Sequence, residues 1–373
     1  MSFDALQRRE GILVHAIKNL SDGEWKIAQQ RSGVQRSDMS TVRFHLRNRH
    51  TDGAFVVGQD VRDTGMRYQG IEKYKSGVGD VYAIAGLIKM FPDGHDNIIL
   101  GLGHPPNAAG RVNEFMSIIG GTHNVTLPDG RKIRFKVKYI KPYDENEGGI
   151  VRTLSRDQTY NVLQSLNIGD NVFLTDIGGR VGSMYFASLG ESFAPVINWE
   201  RGVSFEFGIE DMKESLNQTL RDNTSMFNWD VPDKILEGII RTRGRDVMVN
   251  GAQYSFVDEY NLAIQPFLNR FSSIFDGNLI KGAGDAVQIF NTGGGSGAIW
   301  EILNEDVYGR VCVLADSITT INYANMRGML YALYFWAERA TNDAKFRKLF
   351  NQSYALVVLD AGNSFLKVGV ING

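Results

Sequence analysis

Short apolar runs alternate with stretches of helical periodicity along the whole chain. Phe55–Gly58 (FVVG), Asn97–Leu102 (NIILGL), Asn171–Thr175 (NVFLT), Asp285–Asn291 (DAVQIFN), Val311–Leu314 and Leu356–Leu359 (LVVL) have the length and β-branched content of buried strands. Gly11–Ile17 (GILVHAI) and Trp25–Gln29 read as neighbouring strands joined by a turn at Asp22-Gly23. Val125–Val137 reads as a hairpin about Pro128-Asp129-Gly130, and Phe365–Ile371 as a further strand. Helical spacing covers Asp80–Met90, with Asp80 at its start, then Ile209–Arg221, Val231–Arg241, Ala263–Phe275 and Ala324–Ala340. Strands alternating with helices predict α/β layers.

Length and charge narrow the function classes. A chain of 373 residues holds two or three domains. Lys+Arg is 40 against 42 Asp+Glu, a net charge of −2, which argues against binding DNA through a broad basic face. The basic stretch Arg43–His50 reads as a solvated face. Hydrophobic residues make up 43%, enough to exclude wholesale disorder. The lone Cys312 cannot form an internal disulfide. No signal-peptide core and no run of 18 apolar residues occurs, so a soluble cytoplasmic protein with no membrane partner is expected.

The 41 glycines cluster at the ends of apolar runs, where a backbone without Cβ lets a ligand approach closely. Two segments are alike: LVVLDAGNSFLKVGV near the end and NVFLTDIGGRVGSMYF in the middle. Each is a buried strand, an Asp-x-Gly turn and a second strand. Turn N–H groups of this kind form a nest for phosphate oxygens, and the aspartate beside them can order a water on Mg²⁺. A third turn, Thr292-Gly293-Gly294-Gly295-Ser296-Gly297, offers a flat backbone surface for an adenosine. Two such hairpins suggest related halves gripping one polyphosphate. Other chemistries lack their motifs. There is no G-x-x-x-x-G-K-[ST], and Gly294–Ala298 misses a G-x-S-x-G elbow at its last position. The histidines at 15, 45, 50, 95, 104 and 123 show no zinc spacing.

Together these segments resemble the actin-like ATPase superfamily, and within it the ParM/StbA group of plasmid-segregation proteins. Asp360–Lys367 is similar to the first phosphate loop, Asp176–Gly179 to the second and Asn291–Gly297 to the adenosine loop. Ile321–Leu330 (INYANMRGML) resembles the Asn-x-Arg-Gly helix start at the hinge, and Phe55–Gly58, Glu72-Lys73-Tyr74 and LGLGHPP follow the first-lobe sequence. The resemblance implies an actin/Hsp70/hexokinase-like two-lobed α/β fold, with two related mixed sheets flanked by helices around a nucleotide cleft. The first lobe would be 1–170 plus 326–373, and the second 171–325. One departure is large. The second phosphate loop, adenosine loop and hinge come in family order, but the first loop comes last, at Asp360. This is the pattern of a circular permutation; a chimera, or a second domain cut off at Gly373, is the other reading.

The resemblance also implies site roles. Asp360 and Asp176 would hold Mg²⁺ through waters. Asn363, Ser364 and the backbone at Gly362, Gly178 and Gly179 would hold the phosphates of ATP or GTP, with Lys367 reaching them if it points into the cleft. Arg180 stands where the family has Thr or Ser, and Thr292, Gly293, Gly294, Gly295 and Ser296 would take the adenosine. The family's water-activating Gln or Glu falls in KPYDENEGGIVRTL, where Glu145 fits the spacing best and Glu147 second. The implied activity is nucleotide hydrolysis coupled to self-assembly into filaments, with DNA held through an adaptor protein. A small-molecule kinase or a non-hydrolysing scaffold on the same fold is the alternative. A chaperone-like ATPase would need a long substrate domain that this chain lacks.

Overall fold

The computed structural model describes residues 8–14, 16–31, 40–61, 79–104, 111–155, 166–190, 195–227, 229–282, 286–297, 312–317, 320–350, 352–361 and 365–372. In chain order the elements are β1 (Arg8–Val14), β2 (Ile17–Leu20), α1 (Asp22–Gln30), β3 (Thr41–Arg47), β4 (Asp52–Gly58), α2 (Gly79–Met90), β5 (His95–His104), α3 (Val112–Ile119), β6 (Gly121–Thr126), β7 (Lys132–Asp144) and α4 (Glu145–Ser155). There follow β8 (Asn171–Ile177), β9 (Gly182–Leu189), β10 (Pro195–Phe205), α5 (Ile209–Asn223), α6 (Asp233–Thr242), β11 (Val247–Val249), β12 (Ala252–Tyr254), α7 (Val257–Gly282), β13 (Ala286–Thr292) and β14 (Cys312–Leu314). The chain closes with α8 (Ala324–Ala340), β15 (Ala355–Ala361) and β16 (Phe365–Asn372). Two units result: Met1–Asn161 with Tyr323–Gly373, and Val162–Asn322. None of the described helices is long and apolar enough to cross a membrane.

The first unit is built on a nine-stranded sheet in the order β1-β16-β15-β5-β7-β6-β3-β4-β2. Every residue of β15 is buried, as expected of a strand covered on both faces. One set of alternating side chains, Val357, Leu359, Val368, Leu100 and Leu102, packs in a core with α2, of which only Lys89 is not buried. The other set, Leu356, Val358, Ile99 and Ile371, packs in a core with Met326, Met329, Leu330 and Leu333 of α8. Ahead of β15, the Asn97 amide donates to the carbonyls of Ser353 (3.0 Å) and Leu349 (3.3 Å) and so fixes that strand's entry.

The second unit has a five-stranded sheet, β10-β9-β8-β13-β14, and the separate β11–β12 hairpin. Its core joins Phe173, Phe186, Phe205 and Ile289 of the sheet to Phe207, Leu216 and Leu220, to Ile239 and to Phe267 and Phe271.

The two sheets share a pattern. In both, two antiparallel pairings are followed by two parallel ones: β10/β9/β8/β13/β14 in the second unit, β1/β16/β15/β5/β7 in the first. In the second unit the three antiparallel strands come as one run, β8, β9, β10, ahead of β13 and β14. In the first, the step from β16 to β1 spans the two ends of the chain.

Helices α4 and α8 cross at two glycines. A Cβ on Gly328 would lie 1.7 Å from the Gly148 carbonyl oxygen, and one on Gly148 would lie 2.4 Å from the Asn325 carbonyl. Backbone rests on backbone here, a contact only glycine permits.

Several elements depart from the sequence expectation. Trp25–Gln29 lies in helix α1, not a strand. Ser21 and Glu24 form a capping box, with the Ser21 N–H donating to Glu24 Oε2 (2.9 Å) and the Glu24 N–H to Ser21 Oγ (3.3 Å). Arg43–Arg47 belongs to β3, where Val42, Phe44 and Leu46 are buried and the basic residues alternate outward. Helix α7 extends well beyond both ends of Ala263–Phe275.

Gly328→Ala is expected to destabilise the protein by about 3 kcal/mol, because the helices must separate to admit the methyl group. Gly23→Ala, where nothing lies within 4 Å of the new Cβ, should be neutral or slightly stabilising. Urea unfolding of both variants checks this; equal midpoints for the two would contradict the crossing.

Candidate functional site

In the second unit three parallel strands end side by side, the position where open α/β sheets bind ligands. β8 ends at Asp176-Ile177, β13 at Thr292, and Asp176 pairs in register with Thr292. Gly293 follows with φ +84°, and a Cβ there would lie 2.2 Å from Asp176 Oδ1 and 2.5 Å from the Ile177 carbonyl. A Cβ on Gly295 would meet Ile177 Cγ2 at 2.3 Å. The glycine turn, with no side chain of its own at these positions, is therefore pressed against the Asp176 carboxylate and against the Ile177 carbonyl and side chain.

Gly294–Gly297 is helical, so the Thr292–Ser296 segment is a strand-to-helix turn, not the flat surface expected from sequence. The reason is local. The Ser296 hydroxyl donates to the Thr292 carbonyl and the Ser296 N–H to the Gly293 carbonyl (3.1 Å), closing a helical turn. Behind it, the buried Thr175 hydroxyl donates to Asn291 Oδ1. Past β14, Asp316 is buried and accepts from the Ser317 N–H (2.8 Å) and the Thr320 hydroxyl (3.0 Å).

The Asp176 turn is itself anchored. The Gly178 and Gly179 carbonyls accept the N–H groups of Ile209 (3.1 Å) and Glu210 (2.7 Å) at the start of α5. The Gly178 N–H donates to the Val181 carbonyl (3.1 Å), so that amide is committed within the turn. The amides of Gly179 and of exposed Arg180 have no acceptor among the described residues.

In the first unit the parallel strands β15, β5 and β7 end at Asp360-Ala361, His104 and Asp144. Asp360 is 2% exposed. It pairs across the hairpin with Lys367, whose Nζ lies 2.8 Å from Asp360 Oδ2. Lys367 is thus a partner of the first aspartate. Gly362, Asn363 and Ser364, between them, lie outside the described residues, as do Glu72-Lys73-Tyr74 and Pro105-Pro106.

One strand further, Glu10 on β1 receives Arg327 of α8 through two bonds (2.8 and 2.7 Å) and Arg8 Nε at 2.8 Å. Burial works against the Glu10 charge, but these guanidinium bonds prevail and hold its carboxyl below the usual range. The Arg327 guanidinium also lies 5.5 Å from the centre of the Tyr323 ring.

Helix α4 starts directly after β7 and gathers three acids. Glu145 and Glu147 lie in its first turn. Asp144 is 7% exposed, and its Oδ1 accepts the Asn146 N–H (2.9 Å) and side-chain amide (3.1 Å). Its Oδ2 is buried with no hydrogen bond among the described residues. Burial pushes the Asp144 carboxyl up to about 7, opposed by the Asn146 bonds and assisted by the Glu145 and Glu147 charges. Burial also raises Glu147, with Lys141 opposing. Sequence patterns do not single out Asp144, Asp316, Glu10 or the Gly148/Gly328 pair. Only Asp144 carries a signal, as the first acid of the YDENEGG run.

Among the described residues no group of three or more His, Cys, Asp or Glu could cage a metal ion. Single carboxylates do suit a Mg²⁺ that keeps most of its waters and arrives with phosphates. Asp176 and Asp360 fit that use, Asp360 through water because Lys367 holds one of its oxygens.

No family model matches the chain and no curated protein matches it. Solved structures do. An archaeal actin homolog, Ta0583, in complex with ADP superposes with TM-score 0.61 at 19% identity, covering 80% of this chain and 91% of that one. A 15-stranded ParM filament from Clostridium botulinum gives 0.59 at 14%, covering 86% and 90%. Bacillus thuringiensis ParM with AMPPNP gives 0.60 at 13%, covering 87% and 91%. The chain has the actin-like fold. Within it, the turns at Asp176 and Gly293 and the β15–β16 hairpin at Asp360 stand at the carboxyl ends of matching strands of the two related sheets.

The raised Asp144 carboxyl predicts a pH dependence. Its folded value, about 7, exceeds the ordinary aspartate value of 3.8, so its contribution to stability is present in full at low pH and is lost as pH rises toward and through 7. Asp144→Asn, which keeps the Oδ1 acceptor, should flatten the fall in stability between pH 4 and 7.5. Melting curves across that range check this; an unchanged slope would show that Asp144 ionises normally.

Proposed function

We propose that this chain is an actin-like nucleoside triphosphatase that binds ATP or GTP with Mg²⁺, assembles into filaments and disassembles after hydrolysis. Its role would lie in DNA segregation or a bacterial-type cytoskeleton. The observation that carries the reading is the close approach of the glycine turn at Gly293 to the Asp176 carboxylate, at the carboxyl ends of parallel strands and the start of a helix. Such a turn presents amides to an anion beside a carboxylate for its cation. The nucleotides in the archaeal actin homolog and in Bacillus thuringiensis ParM support nucleotide binding, and the Clostridium botulinum ParM filament supports self-assembly.

In this reading Thr292, Gly293, Gly294, Gly295 and Ser296 take the nucleoside. Gly179 and Arg180 offer amides to phosphates, and Asp176 orients waters on the cation. Asp360, Gly362, Asn363 and Ser364 form the first phosphate loop, and Lys367 exchanges its Asp360 contact for a phosphate oxygen. Mg²⁺, when bound, supplies charge neutralisation on the phosphate oxygens. The attacking water falls to the first turn of α4. Glu145 orients it, with Glu147 as second candidate, and Asp144, which takes up a proton near neutrality, is positioned to receive the proton released.

We also infer that the chain is circularly permuted. In support, the strands β15-β16-β1-β5-β7 repeat the pairing of β8-β9-β10-β13-β14, yet only the former cross the chain ends.

Asp176→Ala should weaken Mg²⁺-dependent nucleotide binding by two orders of magnitude or more, while Glu145→Ala should spare binding and lower phosphate release roughly 100-fold or more. Labelled-nucleotide titration, phosphate release and pelleting with ATP, GTP or neither check this. Unchanged binding by Asp176→Ala removes the site. Turnover unchanged in the Glu145, Glu147 and Asp144 variants alike removes the role of α4.

A further inference from the structure

Several cations on the described surface of the first unit are neutralised at short range. Arg134 pairs with Asp96, Arg131 with Asp93 and Asp129, Arg43 with Asp60 and Arg327 with Glu10. Others make no ion pair among the described residues, and Lys136, Lys138, Lys141, Lys345, Arg347 and Lys348 are among these, with Lys136 attracted at longer range by Asp96 and Lys141 by Glu147. Two of them, Lys141 and Lys345, lie against one aromatic cluster. The Tyr139 ring of β7 stacks on Trp336 of α8 at 5.0 Å and meets Phe346 edge-on at 5.4 Å. Lys138 Nζ reaches Gln352 Oε1 at 3.2 Å, Lys141 Nζ lies 5.8 Å from the Trp336 ring centre, and Lys345 Nζ lies 5.1 Å from that of Phe346.

The backbone of β7 is adapted here as well. Val137 and Tyr139 pair with consecutive residues Ile98 and Ile99 of β5, so Lys138 is an extra, bulged residue. A bulge re-aims the side chain it carries. Residues 336–350 hold four cations, Arg339, Lys345, Arg347 and Lys348, against two acids, Glu338 and Asp343. In a chain of net charge −2 this is a local reversal of sign.

We propose that this face binds the backbone of nucleic acid directly. Unpaired lysines and arginines on one surface are matched by a polyanion, whose bound counterions they release. The half-buried rings of Tyr139, Trp336 and Phe346 lie among those cations. Interleaved aromatic and basic groups suit stacked bases beside phosphates better than an acidic peptide, which offers nothing to stack. The cations of β7 precede Asp144 on the same strand, and the proposal does not depend on the proposed hydrolysis. It departs from the expectation that DNA is held only through an adaptor.

Fluorescence anisotropy of the full chain with labelled 30-nucleotide single- and double-stranded DNA tests it. With about four phosphate contacts, affinity for the single strand should fall roughly 50-fold between 50 and 200 mM salt. Lys345→Glu/Arg347→Glu/Lys348→Glu should weaken binding at least tenfold without changing the melting temperature or phosphate release, and Lys136→Glu/Lys138→Glu should do the same. Lys234→Glu/Arg241→Glu, on α6 of the other unit, should bind as the parent does. Polyglutamate of equal charge should fail to displace the DNA. Absence of binding at 50 mM salt, parental affinity in both reversed variants, or equal displacement by polyglutamate would each overturn the proposal, the last pointing to an acidic protein partner instead.

Discussion

Everything in the first unit rests on β16 being paired along both edges. On one side it meets β15 from Ala355↔Asn372 to Ala361↔Leu366, and on the other β1 from Arg8↔Ile371 to Val14↔Phe365. A two-stranded hairpin alone is marginal in water, so β15–β16 needs β1 and β5 as neighbours and helices on both faces. That pairing sets Asp360 at a buried strand end with Lys367 opposite, and it brings Glu10 within reach of Arg327. The ends of the chain are thus structural partners.

Carboxylates at strand ends are the recurring chemical device. Each is held differently. Asp360 has an ammonium partner, Asp176 a glycine turn pressed against it, and Asp144 a local amide on one oxygen with the other buried. A buried acid beside other acids holds its proton to higher pH. The Asp144 carboxyl at the head of α4 is the one so placed. The glycine contact between α4 and α8 brings the backbone of that acidic first turn against the helix that carries Arg327, so a shift in one helix must be felt by the other.

The strand skeleton was legible because fully buried strands have no polar positions to blur them: LVVL, NVFLT and NIILGL each lie inside a sheet, with a neighbour on either side. The Asp-x-Gly pairs were legible for the same reason, since a turn directly after such a run stands out. Helix α1 was misread because its only strong signal is the Ser21–Glu24 box, and none of its residues is buried to give a periodic stripe. The Thr292 turn was misread because three glycines carry no helical propensity, while the Ser296 hydroxyl bond that closes the helical turn joins residues four apart. Glu10 with Arg327, and Gly148 with Gly328, are contacts between residues far apart in sequence, which no local pattern encodes. The lysines set against the Trp336 and Phe346 rings come from β7 and from the segment after α8, so no local pattern brings them together.

Moving the chain ends tests the shared pairing of β16 most directly. A protein that begins at Ser353, runs through β15 and β16, and continues from Gly373 into Met1 would place the strands of the first sheet in the same chain order as those of the second. If β16 pairs with both β15 and β1 as described, this rejoined protein should melt cooperatively within a few degrees of the parent and bind nucleotide with the parent's affinity. Aggregation, or a melt showing only the second unit folded, would contradict it.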